Sequence, residues 1–218
     1  MNNIKSNSKV VNAWCMYDWA NSVYSLVITT AIFPLYYNAV TTTDLNNDLV
    51  SFFGIEIVNS VLYSYSLSFS FLLLTIIQPI LSGIADYSGN KKFFLRLFMY
   101  LGSFSCMSLY FFNGENVEYG IIFSVLASIG FTGSLVFYNA FLPEISTPQN
   151  FDNISARGYS FGYVGSVILL IICLILIQSF EFFGFQSSKD ATKFTFLLVG
   201  LWWIIFAQIT LFYLPEKH

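Results

Sequence analysis

Residues 57–84 read IVNSVLYSYSLSFSFLLLTIIQPILSGI and include no charged residue. The hydrocarbon core of a bilayer is about 30 Å thick, and an α-helix needs about 20 mostly apolar residues to cross it. Only a helix or a closed barrel satisfies its own backbone amides where no water is present. The stretch therefore predicts a helix that spans a membrane.

Five other stretches meet the same test, so the sequence predicts an all-α membrane protein with a six-transmembrane-helix bundle in a single domain, 1–218. The predicted spans are 11–40, 57–84, 93–112, 119–142, 158–180 and 194–214. The segments between them contain the Asn, Asp, Gly and Pro residues that commonly end helices. A cleaved signal peptide is the alternative for the first stretch, but that apolar run is too long and lacks a small-residue cleavage site.

The composition argues against several classes of function. Hydrophobic residues make up 56% of the chain and charged residues 10%, against roughly 25% charged in an average soluble domain. The net charge of −3 and the lack of a basic stripe argue against a nucleic-acid partner. Cys15, Cys106 and Cys173 are far apart and the only histidine is His218, so we expect no metal and no other cofactor. The spans carry no catalytic constellation such as Ser/His or paired Asp, so we do not expect an enzyme.

The positive charges predict the orientation of the chain, because Lys and Arg near span ends stay on the cytoplasmic side. With alternating spans, only Lys189 and Lys193 fall on one side of the membrane. The residues on the other side are Lys5, Lys9, Lys91, Lys92, Arg96, Arg157 and Lys217. Both termini are therefore predicted to be cytoplasmic, with the loops 41–56, 113–118 and 181–193 outside.

Asp18 is the most informative polar residue, because it stands in WCMYDWANSVYS, roughly 10 Å into the first predicted span. A carboxylate inside a membrane is costly unless it faces a bundle interior or a wet cavity, so Asp18 is a functional candidate. A polar stripe continues from it at Asn21, Ser22, Ser25 and Thr29. The stripe is predicted to line a cavity.

A second interpretation of Asp18 is structural. Trp14 and Trp19 flank it and resemble an interfacial aromatic belt, so the carboxylate could lie in the headgroup layer and form local hydrogen bonds only. Pro34 stands further along the same span and predicts a bend there.

The segment GIADYSGNKK at 83–92 links the second and third predicted spans. In it, Gly83 can end a helix, Asp86 can lie near the positive end of the next helix, and Gly89 can make the turn. Lys91 and Lys92 are expected to anchor the topology.

This segment resembles the signature loop of the major facilitator superfamily, approximately GxLADxxGRK. The matching positions are Gly83, Ala85, Asp86, Gly89 and Lys91. Tyr87 and Asn90 stand where that loop usually has basic residues, so the charge network that the superfamily has there is expected to be weaker.

Several strings are similar to the vacuole-effluxer-like branch of that superfamily: YDWANSVYSLVITTAIFP, PILSGIADYSGNKK, FYNAFLPEIS, SARGYSFGYVGS and LVGLWWIIF. They are distributed over the whole chain. The resemblance implies transport of small solutes, with amino-acid export from vacuoles attributed to fungal members. It also implies two six-helix halves that rock about a site near the midplane of the membrane, and this chain resembles the amino-terminal half.

The working hypothesis is secondary active transport, in the efflux direction, of a small polar solute such as an amino acid. Asp18 is expected to bind an amino group or to exchange a proton. Tyr17, Asn21, Tyr24 and Asn139 are expected to line the path. The membrane would be the plasma membrane in a bacterium or the vacuolar membrane in a fungus.

Glu144 and Arg157 form a candidate gate pair, because one follows the fourth span and the other opens the fifth on the same side. An exposed ion pair contributes at most about 1 kcal/mol, so its interest would lie in being broken during a transport cycle. Two independently solvated charges are the structural alternative.

The chain resembles one half of a carrier, so a partner is expected besides the bilayer and the solute. A separately encoded carboxyl-terminal half and a second copy of this chain both satisfy that requirement, and a homodimer surface must complement itself. The competing function is a non-transporting membrane protein, either an assembly partner or an inactive truncated remnant.

Overall fold

The computed structural model describes residues 7–42 and 48–215, except for the side chains of Asp86 and Ser88. Within these residues, six helical spans are long and apolar enough to cross a membrane, as predicted. They are Ser8–Thr41, Asn59–Ala85, Lys91–Phe111, Val117–Ile145, Pro148–Gln178 and Ser188–Tyr213. Lys5, Lys217 and His218 lie outside the described residues.

The first span consists of α1 (Ser8–Val23), a π-helical segment (Tyr24–Ile32) and α2 (Phe33–Thr41). The second is α3 (Asn59–Ser88), and the third is α4 (Lys91–Ser108) with a 3-10 turn at Leu109–Phe111. The fourth is α5 (Val117–Asn139) followed by α6 (Leu142–Ile145). The fifth is a 3-10 turn (Pro148–Asn150) leading into α7 (Phe151–Gln178), and the sixth is α8 (Ser188–Tyr213).

The last two spans begin earlier than the hydropathy of the sequence indicates. The fifth begins at Pro148 rather than at Gly158, and the sixth at Ser188 rather than at Phe194. Their first turns are polar, and Ser187 caps α8 by accepting a hydrogen bond from the Asp190 N–H at 3.1 Å. Capping and helix geometry extend these helices beyond their apolar runs.

The link between the first two spans contains a β-hairpin that the sequence analysis did not predict. Its strands are β1 (Leu49–Phe52) and β2 (Ile55–Val58), which pair antiparallel. The tight turn is formed by Phe53 and Gly54, both with positive φ. Most such turns carry Asn-Gly or Asp-Gly, so this one lacks the usual sequence signal. The second span therefore begins at Asn59 and not at Ile57.

The first span is irregular just before Pro34, where a bend was expected. The π-helical segment precedes this proline, and the Thr30 hydroxyl donates to the Ser25 carbonyl oxygen, five residues earlier, at 2.8 Å. Proline has no N–H to donate and its ring crowds the preceding turn, so the helix widens locally there. The wider turns shift the helical register by one residue, so the side chains that follow face other directions than in a regular α-helix.

The helices pack most closely through α4 against α5 and α8, and through α1 against α7 and α8. Gly102 of α4 and Gly130 of α5 approach backbone to backbone, and Trp203 of α8 lies over Gly102. Small residues permit such approaches between membrane helices. This arrangement places α1 in the middle of the bundle, between α5, α7 and α8.

Candidate functional site

Asp18 lies on the inner side of α1, with 5% of its surface exposed. The Tyr138 hydroxyl, from the last turn of α5, donates a hydrogen bond to Asp18 Oδ2 at 2.9 Å. This bond joins the first and fourth spans. It therefore differs from the second interpretation, in which Asp18 forms local hydrogen bonds only. The Trp14 ring stacks on Tyr138 at 4.2 Å between centroids, and its indole N–H donates to the Tyr138 carbonyl oxygen at 3.0 Å. The Tyr138 ring is therefore held firmly beside the carboxylate.

The backbone of α7 closes the other side of Asp18. A Cβ added to Gly158 would lie 2.5 Å from Asp18 Oδ2, and one added to Gly162 would lie 2.5 Å from Ser22 Oγ. Gly165 is in similarly close contact with the Trp19 ring. Small residues at these positions allow α7 to lie directly against the polar face of α1.

A cavity of about 250 Å³ lies between α1, the π-helical segment, α5 and α7. Its lining residues are Asp18, Asn21, Ser22, Ser25, Leu26, Thr30, Phe131, Leu135, Tyr159, Tyr163 and Ser166. The predicted polar stripe thus lines a cavity over most of its length. Thr30 takes the place that a regular α-helix would give to Thr29, because the π-helical segment shifts the register.

Asn21 is 1% exposed and has an amide nitrogen without a hydrogen-bond partner in the described part of the chain. Its Oδ1 accepts a long hydrogen bond from the Ser22 hydroxyl at 3.4 Å. A buried donor without an acceptor costs about 1–3 kcal/mol. This unmet donor belongs to a residue that lines the cavity, where a solute oxygen or a water would satisfy it.

A second, smaller cavity of about 80 Å³ lies on the other side of Asp18. Its lining residues are Trp14, Asp18, Leu135, Tyr138, Asn139, Ser155 and Tyr159. Asn139 and Asp18 thus line the same small cavity, and the place of Asn139 on a solute path stays a prediction. Since Asp18, Leu135 and Tyr159 line both cavities, the two form one polar region along the inner face of α1.

Tyr17 and Tyr24 do not line either cavity, contrary to the expectation. Both are buried: Tyr17 packs against the Tyr138 ring at 5.0 Å, and Tyr24 packs against Phe131 at 5.0 Å. They are seven residues apart and share one helical face with Asn21, which does line the cavity. Both tyrosine rings pack against aromatic residues of α5.

Residues of the cavity on α7 were missed in the sequence analysis. Tyr159, Tyr163 and Ser166 follow one another at helical spacing and face the α1 stripe. That spacing is visible in the sequence, but it does not distinguish the wall of a cavity from a face packed on another helix.

The link between α3 and α4 lies at one end of the bundle. The helix continues past Gly83 to Ser88, so Gly83 does not end it; Gly89 makes the turn with a φ of 70°. Asp86 lies in the last turn of α3, and its side chain is outside the described part. Lys92 Nζ donates to the Leu214 carbonyl oxygen at 3.0 Å, which ties the start of α4 to the end of α8.

The candidate gate pair is not formed in this structure. Glu144 instead forms a salt bridge with Lys91, with Oε1 and Nζ 3.1 Å apart. Arg157 places its guanidinium over the Phe161 ring of its own helix, 5.7 Å from the centroid. The reason is the packing order: the end of the fourth span adjoins α4, whereas α7 packs on α1 and turns Arg157 outward.

Comparison with known proteins gives consistent results. The profile of the family described as "Vacuole effluxer Atg22 like" matches residues 6–152 and 148–218. An uncharacterised MFS-type transporter of Bacillus subtilis (strain 168), YxiO, is 35% identical over 93% of this chain and 46% of its own length. Autophagy-related protein 22 of Pyricularia oryzae is 22% identical over 92% of this chain and 40% of its own length. No solved structure matches.

This chain spans about half the length of these curated relatives. The two profile matches together cover nearly all of it, including every helix that forms the Asp18 cavity. The chain is a multi-pass membrane protein and belongs to the Atg22-like vacuole effluxer family of MFS-type proteins.

Proposed function

We propose that this chain is one half of a secondary transporter that exports a small polar solute bearing an amino group, such as an amino acid. The observation that carries the proposal is the Asp18 carboxylate in the wall of two adjoining cavities between α1, α5 and α7. The names of its relatives, an MFS-type transporter and fungal Atg22 proteins, support transport as the class of activity.

The charges around the cavities favour a cationic group as the ligand of Asp18. Among the described residues that line the two cavities, Asp18 is the one charged side chain. A carboxylate far from water needs a proton or a positive charge, and a solute ammonium supplies the latter. Asn21 and Ser22 then offer an amide and a hydroxyl to the rest of a polar solute.

The cavity of about 250 Å³ is large enough for an amino acid but remains open on one side. Tyr159 and Tyr163 line it and are mostly exposed. Polar groups exposed to lipid are costly, so this side is expected to meet a second six-helix unit. Either a separately encoded half or a second copy of this chain would place its own cavity wall opposite Asp18.

We further propose that both termini are cytoplasmic, so that α6 and the link between α3 and α4 face the cytoplasm. The salt bridge between Lys91 and Glu144 then lies on the cytoplasmic side. Its side chains are less than one-fifth exposed, and it ties the start of α4 to α6 at that end of the bundle. The host membrane would be the plasma membrane in a bacterium or the vacuolar membrane in a fungus.

Transport by the reconstituted complex tests the proposal. The chain is purified from native membranes together with any second six-helix unit, placed in liposomes, and assayed with labelled amino acids. Asp18→Asn removes the charge at constant size and is expected to abolish uptake or its pH dependence. Asp152→Asn, an exposed carboxylate at the start of α7, is the matched control and should retain activity.

Two outcomes would contradict the proposal. Asp18→Asn with unchanged uptake and pH dependence would remove Asp18 from the mechanism. A stable complex without solute flux or solute binding would instead favour the competing function, a membrane protein that assembles but does not transport.

A further inference from the structure

The exposed side of α3 carries a polar stripe of its own. Its members are Ser60, Ser64, Ser68, Thr75, Gln78 and Ser82. At 3.6 residues per turn they fall within an arc of roughly 80°, in which Phe71 is the one other described side chain. Five of the six are exposed and Ser82 is half-buried. None of them lines a cavity next to Asp18, so this α3 stripe is a separate feature.

Lipid is a poor neighbour for the α3 stripe. The exposed side chains of α7 between residues 164 and 175 are all aliphatic: Val164, Val167, Ile168, Ile171, Ile172, Leu174 and Ile175. The remaining exposed side of α3 is also mostly apolar, with Phe69, Leu72, Ile76 and Ile80. Polar groups exposed to lipid are costly, and small polar residues are typical of contacts between membrane helices. The α3 stripe is therefore expected to be covered by another helix.

The middle of the α3 stripe offers mainly hydrogen-bond acceptors. The Ser64 hydroxyl donates to the Ser60 carbonyl oxygen at 2.8 Å, so its own proton is used within the helix. The Thr75 hydroxyl likewise donates to the Phe71 carbonyl oxygen at 2.8 Å. Pro79 has no N–H to donate to the Thr75 carbonyl oxygen, four residues before it. A helix that covers this face must bring donors.

Tyr159 and Tyr163 of α7 are donors at the matching depth. Both are mostly exposed, and neither hydroxyl forms a hydrogen bond within residues 7–42 and 48–215. The spans alternate in direction, so α3 ends on the side of the bundle where α7 begins. At the rise of an α-helix, Tyr159 and Tyr163 are about 12 and 18 Å from the start of α7. Gln78 and Thr75 are about 15 and 20 Å from the end of α3.

The symmetry of a dimer brings these two faces together. Within one chain α3 packs mainly against α5 and α7 packs mainly against α1, so they lie on opposite flanks. A twofold axis along the membrane normal, in front of α1 and α5, places α3 of one copy against α7 of the other, and the reverse. This rotation keeps every residue at its depth in the membrane. The surface therefore complements itself, as a homodimer requires.

We propose that the second six-helix unit is another copy of this chain, whose α7 docks on the α3 stripe. The inference rests on the proposed function, which requires a second unit at the open side of the Asp18 cavity, and it identifies that unit. In the dimer, the Tyr159 and Tyr163 hydroxyls of each copy donate to oxygens of Gln78 and Thr75 in the other. The two open cavities then face each other and form one enclosed space.

Cross-linking between two differently tagged copies tests the proposal without a solute. One copy carries Thr75→Cys and the other Tyr163→Cys, and both are expressed in the same membranes. The native cysteines are buried. A short bifunctional maleimide is expected to give a product of twice the mass that carries both tags. Ile76→Cys in place of Thr75→Cys is the matched control, because this exposed neighbour lies on the apolar side of α3 and should cross-link several-fold less.

Self-association of the purified chain gives a second measurement that needs no introduced cysteine. Copies labelled at either terminus with two fluorophores are mixed in a neutral detergent, and energy transfer gives an apparent Kd. Tyr163→Phe removes one donor from each copy and should weaken the dimer about tenfold, because the bond is lost twice. Tyr213→Phe is the control: its exposed ring lies in the last turn of α8, and the apparent Kd should not change.

Three results would overturn the proposal. Equal cross-linking of Thr75→Cys and Ile76→Cys would indicate random collision. Cross-linking of Thr75→Cys to an untagged protein of different mass would identify a separately encoded half as the occupant. A chain that gives no cross-linked product and remains monomeric would leave the α3 stripe without a second copy. None of these results depends on solute flux, so a dimer that forms but does not transport would contradict only the proposed function.

Discussion

Two neighbouring residues, Tyr138 and Gly158, determine where the Asp18 carboxylate lies. Tyr138 donates a hydrogen bond to its carboxylate, and Gly158 provides the space in which that carboxylate fits. The Trp14 ring holds Tyr138 in position from its other face. The position of the Asp18 carboxylate therefore depends on one hydrogen-bond donor, the Tyr138 hydroxyl, and on the lack of a side chain at Gly158.

The first prediction concerns that space. Gly158→Ala would bring a methyl group against both Asp18 Oδ2 and the Tyr138 hydroxyl, so α7 or Asp18 must move. Forced overpacking commonly costs about 1–3 kcal/mol, and a lower unfolding temperature should show it. Gly83→Ala is the control, because a Cβ there meets no atom within 4 Å. Equal stability of the two variants would contradict the described packing.

The second prediction concerns the donor. Tyr138→Phe removes the hydroxyl that bonds to Asp18 while keeping the ring against Trp14. A buried hydrogen bond to a charged group contributes about 1.5–3 kcal/mol, so the free energy of unfolding should fall by about that much. Tyr119→Phe is the matched control, since its hydroxyl donates to the uncharged Ser108 carbonyl oxygen and a smaller loss is expected. An equal loss of stability in both variants would contradict the described bond between Tyr138 and Asp18.

At the scale of the element, the π-helical segment decides which side chains face the cavity. It widens the first span between Tyr24 and Ile32, so the polar stripe continues at Thr30 and leaves Thr29 turned inward. A regular α-helix with 3.6 residues per turn would instead place Thr29 at the cavity and not Thr30. The sequence shows Pro34 but does not show how the preceding turns adapt to it.

The third prediction tests this shift of register. With the buried native cysteines unreactive, a cysteine at Thr30 should react with a water-soluble maleimide much faster than a cysteine at Thr29. The reaction is followed by gel shift on the purified protein. A faster reaction at position 29 would mean that the first span is a regular α-helix.

At the scale of the whole molecule, the number and type of spans follow from the sequence because the bilayer sets a length that each apolar run must reach. The prediction that Asp18 lines a cavity follows from the same cost of burying charge in lipid. Individual contacts do not follow from it. Glu144 pairs with Lys91 rather than Arg157, and Tyr17 and Tyr24 turn inward, because the order in which helices pack is not visible in hydropathy.

The β-hairpin shows a second limit of the sequence. Phe53 adopts a positive φ, which bulky residues rarely do, and its N–H donates to Glu118 Oε1 at 2.9 Å. That partner lies in the first turn of α5, far away along the chain. The turn thus depends on a tertiary contact that no local pattern indicates.

The most direct test of the account is the side of the membrane on which its links lie. Two exposed residues serve as reporters: Tyr87 at the end of α3 and Phe182 between α7 and α8, which are 96% and 86% exposed. Single cysteines at these positions are treated with a membrane-impermeant maleimide in intact cells and again after permeabilisation. We expect the cysteine at position 182 to react in intact cells and the one at position 87 to react only after permeabilisation. Reaction of both cysteines in intact cells would contradict the six-span topology on which the half-transporter depends.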